Sequence, residues 1–370
     1  ANANTKYQAQ DVSVTNTPII VQASVGTVLV GRVTSATTST RHTVGQITLR
    51  PQTLLWLNHT NLQPDADYEL IADGLVLEGD ATIRINTGPG NGDGRLIITN
   101  QTLGGLTDGG GGYSLTVLGN DIIRSELRVL GTLNLGGNLL ISPGQSAGAG
   151  VHASDGFTNV LGNITVGNGM LITTTDFVRE LGSGPGQIQF TDGLNSGLGV
   201  AGGGTVGVAL TTAGQTNMLT WGEGYFAAGS IFRLNEDDAS GTIVFWNDLD
   251  LNSTNGTVTR TLQVDGATAY VAGVITNLDS DVGTANLVKA GAGTLVLTNR
   301  IDHNGTTTVS GGGSLRIPHP TNLPSGNLII SAVNNAPTLD TAGVFTRAIG
   351  AGADQVRIIG SGASGNNSRP

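Results

Sequence analysis

Residues Leu287 to Ile317 read LVKAGAGTLVLTNRIDHNGTTTVSGGGSLRI, and the spacing of apolar residues in that stretch decides the fold. Leu295 and Leu297, Thr307 and Val309, then Leu315 and Ile317 alternate with a period of two, with glycine or Asn-Gly between the runs. That period sends successive side chains to opposite faces, so each run predicts a short half-buried strand closed by a tight turn. Strands this short bury little alone. A coil made of them gains a core only by stacking on its neighbours.

The rest of the chain is written the same way. Its 370 residues include 58 glycines, while charged residues make up only 12%. That combination suits a molecule with many corners requiring positive φ better than a conventional enzyme core. Gly-rich disorder is excluded because Val, Ile and Leu recur throughout in alternating, strand-length runs such as Thr82–Ile85, Leu96–Ile98, Leu127–Val129, Ile164–Val166 and Ile188–Phe190. No Gly-free window carries helical periodicity over three turns. The fold class predicted is all-β, a parallel β-helix, or β-solenoid. At about 20–25 residues per coil and roughly 4.8 Å per rung, it would have on the order of 15 coils and a length of about 70 Å. A solenoid core grows along one axis, so length sets no domain count. Residues 1–70 have few Gly-Gly steps and carry the runs IIVQASVGTVLVGRV and QITLRPQTLLWL. They are expected to form an N-terminal cap or interaction segment ahead of repeats spanning 71–370.

One recurrence is long-range. FVRELGSGPGQI at Phe177–Ile188 returns as FTRAIGAGADQV at Phe345–Val356, with Phe, Arg, two glycines and Gln in register. The second copy is cut short at Pro370, which suits an excerpt of a longer array or an open coil that meets another molecule.

The pattern Lys289, Gly291, Gly293, Thr294, Leu295, Leu297, then Asn304, Gly305, Thr307, Val309, then Gly313, Leu315, Ile317 resembles the passenger-associated repeat of bacterial autotransporters. Residues Leu219 to Asp281 are similar to what precedes that repeat in large passenger-like surface proteins. The resemblance implies a right-handed parallel β-helix, exported and displayed outside the cell, of the Gram-negative outer-membrane type. One departure is Arg300-Ile301-Asp302-His303, where the family usually has an aromatic residue; a weaker packed corner is expected there.

Composition narrows the chemistry. Absence of Cys removes thiolate catalysis and Cys-ligated zinc. A formal charge of −10 with scattered Lys and Arg argues against a nucleic-acid partner. No apolar run reaches 18 residues, so no transmembrane helix is expected. ANANTKYQAQ lacks the basic and apolar regions of a signal peptide and is compatible with a mature terminus after cleavage.

Acid pairs come next, because glycoside cleavage needs two carboxyl groups held across a cleft. The local candidates are Glu236 with Asp237-Asp238, Asp248 with Asp250, and Asp279 with Asp281. All lie in or beside turns, where Asp is expected to cap backbone, and no catalytic residue is assigned. Calcium is the one cofactor to be weighed, at Asn91–Gly94 or Leu234–Asp238, although neither has EF-hand spacing. His42, His59, His152, His303 and His319 are too scattered for zinc. The glycine runs at 109–112 and 202–204 lack the Lys and following helix of a phosphate loop. Two aromatic clusters, Trp221 with Tyr225 and Phe226, and Phe245-Trp246, could stack on sugars or fill corners.

These readings converge on a non-enzymatic extracellular or cell-surface structural protein, a β-helical rod in a fibre, coat or adhesin. Its partners would be itself, neighbouring surface proteins or glycans. Head-to-tail self-assembly into a filament and a polysaccharide-binding or polysaccharide-degrading enzyme on the same solenoid are the alternatives.

Overall fold

The computed structural model describes residues 4–8, 13–14, 17–22, 24–36, 40–99 and 104–360, apart from residues 123, 143, 146–147, 192, 194, 217, 238, 255, 320–321, 324, 334 and 343. Among the described residues there is no α-helix, and the strands stack in parallel as a β-solenoid of about 12 turns. Two compact units share them: residues 1–201, 210–215 and 223–229 in one, and residues 202–209, 216–222 and 230–370 in the other.

In the first unit, one ladder runs Val25–Ala36, Thr53–Leu62, Ala81–Ile85, Leu115–Gly119, Leu139–Ile141, Ile164–Val166, Gln187–Phe190, each strand parallel to the next. Its register sets Leu55, Ile83, Val117, Ile141, Val166 and Phe190 in a single column, all fully buried. The opposing ladder runs Thr40–Leu49, Tyr68–Leu77, Gly94–Ile98, Ser125–Val129, Ala149–Ala153, Gly169–Thr173, Ser196–Val200. There Leu70, Leu96, Leu127, Val151, Leu171 and Leu198 form the matching column. Each such side chain removed from water contributes about 1.5–3 kcal/mol. Because the strand period is two, a one-residue slip would expose a whole column, so burial fixes register.

The second unit has three faces. Residues 205–208 begin a ladder through Thr242–Phe245, Thr268–Val271, Thr294–Leu297, Ser314–Ile317 and Thr338–Thr341. A second runs Ile231–Leu234, Gly256–Gln263, Gly283–Ala290, Thr307–Val309, Leu328–Ala332, Gln355–Gly360. A short third, Leu219–Thr220, Leu249–Asp250, Ile275–Thr276 and Ile301–Asp302, stacks Leu219, Leu249, Ile275 and Ile301 inside. The corner expected to be weakened by a missing aromatic is therefore filled by Ile301, only 3% exposed, at the end of an aliphatic column.

Two details differ from the sequence expectation. Coils are less uniform than 20–25 residues, since Thr294 pairs with Ser314 but Thr205 with Thr242, a range of 20 to 37. Long corners consume chain without adding rungs, which leaves about 12 turns where about 15 were expected. Strands before residue 80 reach 10–12 residues instead of three to five. Parallel pairing joins Thr40–Leu49 to Tyr68–Leu77, across residue 70.

Leu127→Ala should lower unfolding free energy by about 2–5 kcal/mol, because the hole cannot be filled from rungs on either side. Thr116→Ala, on the outer face of the opposite ladder, should stay within about 0.5 kcal/mol. Urea melts of the two variants measure both.

Candidate functional site

Most polar residues at the corners act alike, with a side-chain oxygen accepting a hydrogen bond from a backbone N–H in an adjacent coil. In the first unit, Ser114 N donates to Asp80 Oδ1 (2.8 Å), Asn138 N to Ser114 Oγ (3.1 Å) and Asn163 N to Asn138 Oδ1 (2.8 Å). The chain turns at these positions, so backbone N–H groups leave the ladder and need another acceptor.

Two of the candidate acids, Asp248 and Asp250, are straps of this kind. Asp248 Oδ1 accepts from Val274 N at 2.6 Å. Asp250, 3% exposed, accepts at Oδ1 from Asn252 N and from Leu278 N, each at 3.1 Å. Asp279 caps its own turn through its carbonyl, which takes the Val282 and Gly283 N–H groups, and Asp281 is exposed. Glu236 is buried, Asp237 is exposed, and Asp238 lies outside the described residues. In the Asn91–Gly94 loop the polar side chains have partners within the protein. Asp93 pairs with Arg95, Asn91 Oδ1 accepts from Arg124, and among the described residues no cluster of three or more His, Asp or Glu is placed to hold a metal. The 109–112 glycine loop curls round Asp108, whose carboxylate takes the N–H groups of Gly110, Tyr113 and Gly136; the anion in this nest is the protein's own. Residues 202–204 are an exposed bend.

The residues of the Lys289–Ile317 repeat motif resolve into core and corner. Leu295, Leu297, Thr307, Val309, Leu315 and Ile317 point inward and are buried, while Thr294 faces out. Gly305 leaves no room for a side chain, since a Cβ would stand 2.2 Å from Ala285 O. Asn304 takes the Ala285 N–H at Oδ1 (3.1 Å) and Asn277 Nδ2 (3.0 Å), and gives its own amide to Ser280 O and Gly283 O. Lys289 occupies an inward position between Leu262 and Val309, is 1% exposed, and donates from Nζ to Gly291 O. Gly291 has φ +83°, and a Cβ on Gly313 would fall 2.1 Å from the ammonium, so both glycines shape the nest around it. Burial pushes the Lys289 pKa down to about 8, against the opposing pull of Asp265.

The 168-residue recurrence is one structural device built twice, once in each unit. Glu180 pairs with Gln187 as Ala348 does with Gln355. The Gln side chain takes the N–H of Gly184 (2.8 Å) in one copy and of Gly352 (2.7 Å) in the other. Arg179 reaches Gly162 O at 3.0 Å and Arg347 reaches Gly326 O at 3.1 Å. Asn163 Nδ2 is shared among Gly182 O, Gly184 O and Gln187 O; Asn327 Nδ2 is shared among Gly350 O, Gly352 O and Gln355 O. Sequence comparison of the 12-residue segments misses Asn163 and Asn327. The signal lies upstream, where Gly162-Asn163-Ile164 and Gly326-Asn327-Leu328 stand at slightly different distances from the repeat.

Another pattern missed in the sequence is a ladder of alternating charge. Arg41, Glu69, Arg95 and Glu126 are register partners on four successive rungs. The pairs close at 2.7, 3.7 and 3.0 Å, with Arg128 on Glu126 at 2.6 Å. Only the coil length, unknown from sequence, brings them into phase.

The histidines are not brought together. His42 lies 1% exposed at an inward position paired with Leu70, and His303 is bonded through Nε2 to Thr307 Oγ1 at 3.0 Å. Burial pulls the pKa values of His152 and His303 down to about 4, so both are neutral at physiological pH. The aromatic clusters split. Trp221, Phe226 and Phe245 are core, whereas Tyr225 and Trp246 face out, at 48% and 54% exposure.

No family model, curated protein or solved structure matches the chain. The chemistry described above therefore stands on the residues themselves, among which Asp80, Asp248 and Asp250 hold neighbouring coils in register.

Asn163→Ala should cost about 1–3 kcal/mol, because several buried carbonyls lose their shared donor. Asn58→Ala, whose amide oxygen among the described residues meets only the adjacent His59 N–H, should cost less than about 0.5 kcal/mol. Denaturant melts separate the two. Lys289 gives a pH signature. Folding lowers its pKa, so between about 8 and 10.5 the unfolded chain holds a proton that the folded chain has released, and stability rises with pH through that window. Relative to wild type, Lys289→Met should lose this rise in melts at pH 7.5 and pH 10.

Proposed function

We propose that this chain is an autotransporter-passenger-like structural solenoid, acting outside the cell as part of a surface fibre, coat or adhesin, and not as an enzyme. The observation that carries the reading is the use made of Asp248 and Asp250. The acids best spaced for glycan cleavage each hold a backbone N–H of a neighbouring coil, where a general acid or nucleophile would instead face substrate. The Lys289 to Ile317 motif and its resemblance to passenger repeats support export and display.

Display is tested by labelling intact cells with antibody raised to this chain. Signal on unbroken cells is expected, and signal only after lysis overturns it. For the acids, Asp250→Ala should lower stability by about 1–3 kcal/mol. No release of reducing ends or unsaturated products from a panel of neutral and acidic polysaccharides is expected from wild type. Turnover by wild type that Asp248→Asn or Asp250→Asn abolishes would return the solenoid to the enzymes.

A further inference from the structure

The outer face of the second unit's first ladder carries a feature that the structural role leaves unused. Register places Thr205, Thr242, Thr268, Thr294, Ser314 and Thr338 in one outward column. Six rungs thus present six hydroxyls, spaced by about 4.8 Å. All are at least partly exposed, and among the described residues none of these hydroxyls makes a hydrogen bond within the protein. The neighbouring column is Val244, Tyr270, Val296, Arg316 and Asp340. Its two charges neutralise each other, Arg316 Nε lying 3.3 Å from Asp340 Oδ2. Past the end of the strand, Trp246 is 54% exposed, and the backbone bonds that continue the ladder set the small residues Ala272 and Thr298 next in its column.

Exposing a tryptophan keeps a large apolar surface in water, which costs free energy unless something covers it. What would cover this face must be neutral, since the face carries no net charge. It must also be rich in groups that both donate and accept hydrogen bonds, as hydroxyls do, and it must offer an apolar plane to the indole. A pyranose has this combination: C–H groups on its flat side and hydroxyls round its rim. An extended β-linked chain of them advances by a distance of the same order as one rung, so successive sugars can meet successive hydroxyls.

We propose that this face binds an extended, neutral, β-linked glycan along the hydroxyl column, with Trp246 stacking on one sugar ring. Threonine contacts are individually weak, and affinity comes from many of them acting on one chain. The inference rests on the reading of the protein as a non-enzymatic scaffold only in taking the glycan as bound and not cleaved.

Calorimetry with the full chain tests it, using cellohexaose and chitohexaose as probes, their disaccharides for length, and polygalacturonate for charge. At least one hexasaccharide should bind about tenfold more tightly than its disaccharide, and polygalacturonate should not bind. Trp246→Ala should weaken binding about tenfold, as loss of one stacking contact predicts. The pair Thr268→Val with Thr294→Val should weaken it by a similar factor. Both variants alter outward side chains, and an unchanged far-UV spectrum and melting temperature would show that they fold. Val178→Ala, an exposed apolar residue of the first unit, should bind as wild type does. Absence of heat with both hexasaccharides, or undiminished affinity in Trp246→Ala, overturns the proposal. So does sedimentation showing that wild type self-associates through this face and Trp246→Ala does not. Cleavage of a bound hexasaccharide would instead strike the non-enzymatic reading and leave the binding face standing.

Discussion

Parallel pairing of each strand with its counterpart one coil away is the constraint from which the other features follow. It sets like residues over like, so that Leu55, Ile83, Val117, Ile141, Val166 and Phe190 share one column without being near each other in sequence. The same rule acts on polar residues with different results. Inside, it would stack charges at ruinous cost, and Lys289, at an inward position, is met by the Gly291 carbonyl in a glycine nest. Outside, it makes ordered rows: like hydroxyls in one unit, and alternating Arg and Glu in the other.

Corners obey a second requirement. Wherever the chain leaves one ladder for another, N–H groups lose their regular acceptors, and Asp, Asn and Ser replace them. Asp80, Asn138, Asp248, Asp250 and Asn304 all serve in this way, each reaching a neighbouring coil. The i, i+2 spacing of Asp248 and Asp250, which resembles a catalytic pair in one dimension, becomes three backbone hydrogen bonds in three, one to Asp248 and two to Asp250.

The fold was legible because its signal is local. Period-two alternation between glycine corners marks strands whatever their partners, and short strands separated by corners leave stacking as the way to a core. Coil length was not legible. Nothing in residues 205–242 announces that 37 residues are needed for one circuit, and without that number neither the hydroxyl column nor the Arg41–Glu69–Arg95–Glu126 ladder can be assembled from sequence. The recurrence at Phe177 and Phe345 was visible as letters. Its Asn163 and Asn327 pins were not, because they sit one corner earlier at an unequal offset. Strand alternation divides aromatic neighbours such as Phe245 and Trp246 between core and solvent, so adjacency in sequence is no guide to a shared surface.

The pinned loop at Asn163–Ile188 bears on the order in which such a molecule assembles. All of its defining bonds join residues fewer than 30 positions apart, and the second copy, Gly326–Val356, is equally self-contained. Closing a short loop costs little entropy, so each can lock while distant parts of the polypeptide are still unmade or unstructured. Such a lock supplies a ready edge on which the next rung can settle, turning a slow search among many interchangeable partners into a sequence of short, irreversible-looking clicks.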